Sequence, residues 1–112
     1  SIRSAINELV ALKGSGRSIA VIGDMLELGE ASRPEHRALG EDISGAGVDV
    51  IVAYGNFGGD VIEGAGKGVH AKTHGEAARA VAEAAREGDI VLVKGSRGMR
   101  MEEVTKLLME GA

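Results

Sequence analysis

Apolar positions along the chain switch between two spacings. Ile2, Ile6, Leu9 and Val10 recur at helical intervals up to Lys13, and Gly14-Ser-Gly16 breaks the pattern, which predicts a first amphipathic helix. Ser18 to Gly23 is instead a short, almost wholly apolar run and predicts a strand. Ser32-Arg-Pro-Glu35 has the spacing of a capping box with proline in the first turn, so a helix is expected over about 33–44, stopped by Gly45-Ala-Gly47. Val48 to Tyr54 reads as a second strand. A short helix through Val61 and Ile62 ends in Gly64-Ala-Gly-Lys-Gly68, and Val69 to Ala71 is a brief third strand. Thr73-His-Gly-Glu76 is another capping box, opening an alanine-rich helix that runs to Gly88. Ile90 to Lys94 forms the fourth strand, and Met101, Val104, Leu107 and Leu108 mark the last helix.

The strands are runs rather than alternations, so both of their faces are expected to be buried, as in a parallel sheet covered by helices. With short links and right-handed crossovers this predicts an α/β, Rossmann-like fold, an open and mainly parallel sheet in a three-layer α/β/α arrangement. Strand order 3-2-1-4 is favoured. It places the first and fourth strands side by side at the topological switch point, where open sheets bind ligands, and sets the loops that follow them across one crevice.

Composition narrows the function. A chain of 112 residues suits one domain with one core. A net charge of −4 and 2% aromatic residues leave no basic face or stacking platform for nucleic acid. The absence of cysteine excludes a disulfide framework and a thiolate metal site. No apolar stretch approaches the roughly 18 residues of a membrane span, so no membrane insertion is expected. The chain opens at Ser1 directly into a helical pattern, without methionine or a signal-peptide pattern, and reads as a piece of a longer protein.

Two strand ends carry the candidate chemistry. The fourth strand runs into Lys94, Gly95, Ser96 and Arg97, with a helix soon after. Such a junction aims backbone N–H groups and two cations at one point, as an anion site requires. The first strand ends in Gly23-Asp-Met-Leu-Glu-Leu-Gly29, whose polar groups are the acidic Asp24 and Glu27. These are ligand-binding groups or solvated loop charges between turn-forming glycines. His36 shares a helical face with Leu39 and Ile43, and is either a hydrogen-bonded core residue or part of a site just beyond the acidic loop. His70 and His74 lie four apart, but a strand end and a helix start do not present them together, so no metal is expected. Gly64-Ala-Gly-Lys-Gly68 lacks the Ser or Thr of a phosphate loop, and Gly55-Asn-Phe-Gly-Gly59 lacks dinucleotide-binding spacing.

Gly23-Asp-Met-Leu-Glu-Leu-Gly29, Ser32, His36 and Val91 to Glu103 together resemble the C-terminal domain of the Mur ligases, over nearly all 112 residues. The G-D-M-x-E-L-G and K-G-S-R-x-M-x-M-E pair is most similar to the members that add D-alanyl-D-alanine to UDP-N-acetylmuramoyl-tripeptide. Ser1 to Ile6 resembles the helix that follows the family's Y-N-A-N-P segment. The resemblance implies a bacterial, cytoplasmic, ATP-dependent amide ligase of peptidoglycan precursor synthesis, working through an acyl phosphate. It also implies that a central ATPase domain of the same chain supplies the phosphate loop and the Mg2+ ligands, so this domain alone is expected to be inactive. Lys94, Arg97, Ser96 and the backbone of Gly95 would then hold the dipeptide carboxylate or the transferring phosphate. Asp24 and Glu27 would accept hydrogen bonds from the incoming ammonium or a ribose hydroxyl, and His36 would orient an acidic side chain or a nucleotide oxygen. The alternative is a stand-alone Rossmann-like module that binds a small anion or nucleotide without catalysis.

Overall fold

The strand Ser18–Gly23 (β1) is buried at every position, as its uninterrupted run demands. In the structure, a computed structural model that describes residues 1–111, β1 lies between Val50–Tyr54 (β2) and Ile90–Lys94 (β4). Ile19 stands opposite Val50 on one side and Val91 on the other. Val69–Ala71 (β3) pairs with β2, every pairing is parallel, and the order is β3-β2-β1-β4, as expected.

The five α-helices of the described residues divide between the two faces. Ile2–Leu12 (α1), Ser32–Gly45 (α2) and Gly58–Ala65 (α3) cover one, packing Ile6, Leu9, Leu39, Ile43 and Val61 with Ala20 and Ile22 of β1. His74–Ala84 (α4) and Glu102–Gly111 (α5) cover the other, packing Ala77, Val81, Met101 and Val104 with Ile19 and Val21. The period-two alternation of β1 thus feeds two cores. Each fully buried Ile, Leu or Val contributes roughly 1.5–3 kcal/mol, so β1 is the mechanical centre of the domain. At the edge, β4 is only partly covered, with Val91 37% exposed, because it has a strand neighbour on one side only.

Several boundaries differ from the sequence pattern for local reasons. Ser32 does not cap α2. A 3-10 turn, Gly29–Ala31, runs straight into the helix, and Ala31 is already helical at φ −79°, ψ −6°, so no extended residue remains to act as a cap. Thr73 is extended and does cap α4, its hydroxyl accepting from Glu76 N–H at 3.0 Å. The Glu76 carboxylate returns to Lys72 N–H, one residue earlier than a capping box places it. α4 stops at Ala84 rather than Gly88, because Ala85 turns extended and Arg86 N–H donates to Asp89. β2 starts two residues later than expected, since Asp49 turns aside to clamp the amino end of β1.

That clamp has a twin. The Asp49 carboxylate accepts from Lys13 Nζ and Ser18 N–H, each at 2.8 Å, and these bonds hold its pKa down to about 2. Asp89 accepts from the N–H groups of Arg17 and Arg86, each at 2.9 Å, and is likewise held below the ordinary carboxylate value. Both clamps fix the amino-terminal edge of the sheet. The opposite edge is left to the loops that follow the strands.

Candidate functional site

Asp24 is the first residue past β1, and it is buried. Its two carboxylate oxygens accept from Asn56 N–H at 2.9 Å and Phe57 N–H at 3.0 Å, so it anchors the loop after β2. Charge-assisted bonds of this kind are about twice as strong as neutral ones. Gly55 makes room for them. Its φ is +121°, and a Cβ there would lie 2.5 Å from an Asp24 oxygen.

His36 is fully buried and stacks on Phe57 with ring centroids 4.8 Å apart. Its Nε2 faces Met25 N–H at 2.9 Å and its Nδ1 faces the Ser32 carbonyl at 2.6 Å. A backbone N–H only donates and a carbonyl only accepts, so the ring is neutral and protonated at Nδ1. His36 therefore has no ring nitrogen free for a ligand. It holds the loop after β1, while Asp24 ties that loop to the one after β2.

The basic turn is stitched to the same loop. Ser96 N–H donates to the Asp24 carbonyl at 3.2 Å, and Ser96 Oγ accepts from Leu26 N–H at 2.9 Å. Gly95 lies so close to β1 that a Cβ would sit 3.0 Å from Gly23 Cα and 2.8 Å from the Met101 side chain. The acidic and basic loops therefore do not face each other across a crevice. With glycine in both, their backbones meet above Met101 as a closed seam.

Open space lies on either side of the seam. One hollow, of about 510 Å³, is bounded by Leu26, Tyr54, Asn56, His70, Lys72 and Met99, with Asp24 at its floor. Its size is within the roughly 300–1,000 Å³ of small-ligand sites. The other is a cleft of about 290 Å³ beside Lys94, Ser96, Arg97, Glu102 and Thr105. Lys94 and Arg97 are exposed and, among the described residues, neither forms an ion pair. Glu27 is exposed too, in a left-handed conformation at φ +66°. Among the described residues the other non-glycine residue in that region is Arg100, at φ +53°, next to the basic turn. Each costs about 1–2 kcal/mol relative to an ordinary conformation, and such strain gathers at functional loops.

Tyr54, Asn56, His70, His74 and Met99 did not stand out in the sequence as site residues. The topology brings them in. β3 sits beyond β2, so His70 reaches the Gly55 carbonyl at 2.9 Å. His74, at the start of α4, donates from Nε2 to the Met99 carbonyl at 2.9 Å. The two histidines serve different carbonyls, and among the described residues no three His, Cys, Asp or Glu side chains converge to hold a metal ion. The glycine-rich segment before β3 lies at the far edge, where Lys67 donates to the Asp49 carbonyl at 3.3 Å.

The sequence and the fold are similar to those of known proteins. The pattern of the family described as "Mur ligase, glutamate ligase domain" matches residues 1–97. The UDP-N-acetylmuramoyl-tripeptide--D-alanyl-D-alanine ligase of Bacillus subtilis (strain 168) is 38% identical over 98% of this chain and 25% of its own length. The enzyme of that name from Escherichia coli (strain K12) is 33% identical over 98% of this chain and 24% of its own. Among solved structures, MurF from Acinetobacter baumannii superposes with a TM-score of 0.83 at 35% identity, covering 98% of this chain and 25% of that one. MurF ligase from Thermotoga maritima, solved in complex with ADP, gives 0.75 at 26% identity, covering 96% and 26%. The chain thus spans about a quarter of the proteins it resembles. It belongs to the Mur ligase family, as a glutamate ligase domain.

Proposed function

We propose that this chain is the C-terminal domain of a longer bacterial, cytoplasmic ligase that uses ATP to join D-alanyl-D-alanine to UDP-N-acetylmuramoyl-tripeptide. The observation that carries this reading is the pair of exposed cations Lys94, at the end of β4, and Arg97, on the turn after it, which form no ion pair among the described residues and flank a backbone bonded to the acidic loop. Two exposed cations at a parallel-sheet carboxyl edge suit a carboxylate or phosphate.

In that reaction a carboxylate oxygen of the tripeptide attacks the γ-phosphorus of ATP and ADP leaves. The dipeptide amine then adds to the acyl carbon, the nitrogen loses a proton, and breaking the C–O bond releases inorganic phosphate with the new amide. The domain contributes placement. Arg97 and Lys94 neutralise the phosphate or the dipeptide carboxylate, with Ser96 and the Gly95 backbone setting the turn. Glu27 accepts from the ammonium or a ribose hydroxyl. Asp24 and His36 act through the loops they fix. Holding amine and acyl phosphate together, and shutting water out as the domain closes on a central ATPase domain, supplies the rate.

The described residues do not fit a magnesium ion: no three acidic or imidazole groups converge, and each Asp24 oxygen already accepts a backbone N–H. Magnesium ligands and the ATP phosphate loop are assigned to the central domain. A stand-alone anion-binding module is disfavoured, because the relatives carry this fold as a quarter of a longer chain. Assay of the full-length protein tests the reading. Phosphate release should require ATP, the nucleotide-linked tripeptide and D-alanyl-D-alanine together, whereas residues 1–112 alone should release none. Turnover of ATP by the isolated domain would contradict it.

A further inference from the structure

We infer that His74 is a positioning residue for the basic turn, acting through Arg97. The inference rests on the anion-site reading of Arg97 above. Arg97 opens a 3-10 turn that ends at Met99, and that short arch is tied down at both feet. Ser96, just before it, is bonded to the loop after β1 through its N–H and its hydroxyl. Met99, at its end, has its carbonyl held by His74 Nε2 at 2.9 Å. A carbonyl accepts, so Nε2 carries the proton.

The imidazole is itself fixed. It belongs to the first residue of α4, just after the Thr73 cap, and it packs on the Tyr54 ring with centroids 4.5 Å apart at 37°. His74 therefore joins the end of β2, the start of α4 and the far foot of the turn. The arch has its own bonds, from Met99 N–H to the Ser96 carbonyl at 2.9 Å and from Arg100 N–H to the Arg97 carbonyl at 3.2 Å, but it is followed by the left-handed Arg100, and His74 is what ties the Met99 carbonyl to α4. Without that tie Arg97 would keep its charge and lose its aim, and geometry is what separates a bidentate arginine contact from a diffuse one.

Three substitutions in the full-length enzyme test this. His74→Phe keeps a ring against Tyr54 and removes the donor. His74→Gln keeps an N–H donor near the position of Nε2. Loss of one neutral hydrogen bond predicts a roughly two- to ten-fold fall in kcat/KM for ligation in His74→Phe, with near-normal values in His74→Gln. A purely structural role would lower the melting temperature in both and act independently of Arg97. A double-mutant cycle with Arg97→Met separates the two, because the His74→Phe penalty should vanish once Arg97 is gone. If Arg97→Met impairs ligation but the His74→Phe penalty persists beside it, the inference is overturned and the anion site stands. If Arg97→Met leaves ligation unchanged, the anion-site reading falls and the inference with it.

Discussion

The Asp24 carboxylate occupies the space that a side chain at Gly55 would need: a Cβ at residue 55 would lie 2.5 Å from one oxygen and 2.6 Å from the other. The two positions form one device, with the acid bonding the amides of Asn56 and Phe57 and the glycine leaving room for it.

Asp24→Asn should therefore destabilise the domain rather than only slow the reaction. An amide keeps one acceptor and turns an NH2 toward a backbone N–H, so about 1–3 kcal/mol should be lost. Gly55→Ala should cost at least as much, from steric conflict and from φ +121° together. Urea unfolding of the domain reads both. Unchanged midpoints would show that Asp24 is not an anchor and would return it to the role of a direct ligand.

Glu27 should behave in the opposite way. Its exposed side chain has no partner among the hydrogen bonds and ion pairs of the described residues, and its backbone is strained at φ +66°. Glu27→Gly should stabilise the domain by about 1 kcal/mol. It should also lower kcat/KM for the dipeptide in the full-length enzyme, as should Glu27→Gln, which leaves the strain in place. Undiminished ligation in both variants would make Glu27 a solvated loop charge.

The clamps at the other edge of the sheet predict acid sensitivity. Lys13 and Ser18 depress the Asp49 pKa from 3.8 to about 2, and the amides of Arg17 and Arg86 depress that of Asp89. Between about pH 2 and pH 4 the unfolded chain binds protons that the folded chain refuses. The stabilisation is thus complete above the unfolded value of 3.8 and is lost as pH falls through about 2. Urea midpoints should drop across that window, and Asp49→Asn should make the drop shallower. A slope unchanged by that substitution would show that Asp49 does not govern acid unfolding.

Much of the fold is legible in the sequence. Ser18–Gly23, Val69–Ala71 and Ile90–Lys94 are strands with the bounds their apolar runs suggest, and the favoured order 3-2-1-4 is the one observed. The site is less legible. Asp24 looks like a ligand group in the sequence because a polar residue past a strand invites that reading, and His36 because its helix starts just beyond the acidic loop. Their partners are backbone amides and a carbonyl, which leave no trace in residue identity. The Gly55 loop lacks dinucleotide spacing, yet it enters the site because β2 neighbours β1. The seam is hidden for a related reason: strand order places the loops after β1 and β4 side by side, but their closeness is set by Gly23 and Gly95 over Met101.

The anion site at the basic turn is most directly tested by ligation kinetics of full-length Arg97→Lys and Lys94→Met, with thermal melts of the same proteins. Arg97→Lys keeps the charge and loses the fork, and Lys94→Met removes the charge and keeps most of the stem. A lost charged hydrogen bond is worth roughly 1.5–3 kcal/mol, or about ten- to a hundred-fold in kcat/KM. Both side chains are exposed, so melting temperatures should stay close to that of the parent enzyme. A fall of that size at unchanged stability is the predicted result. Near-normal ligation in both variants would contradict the anion site, and lost activity with an equally large loss of stability would make the turn structural.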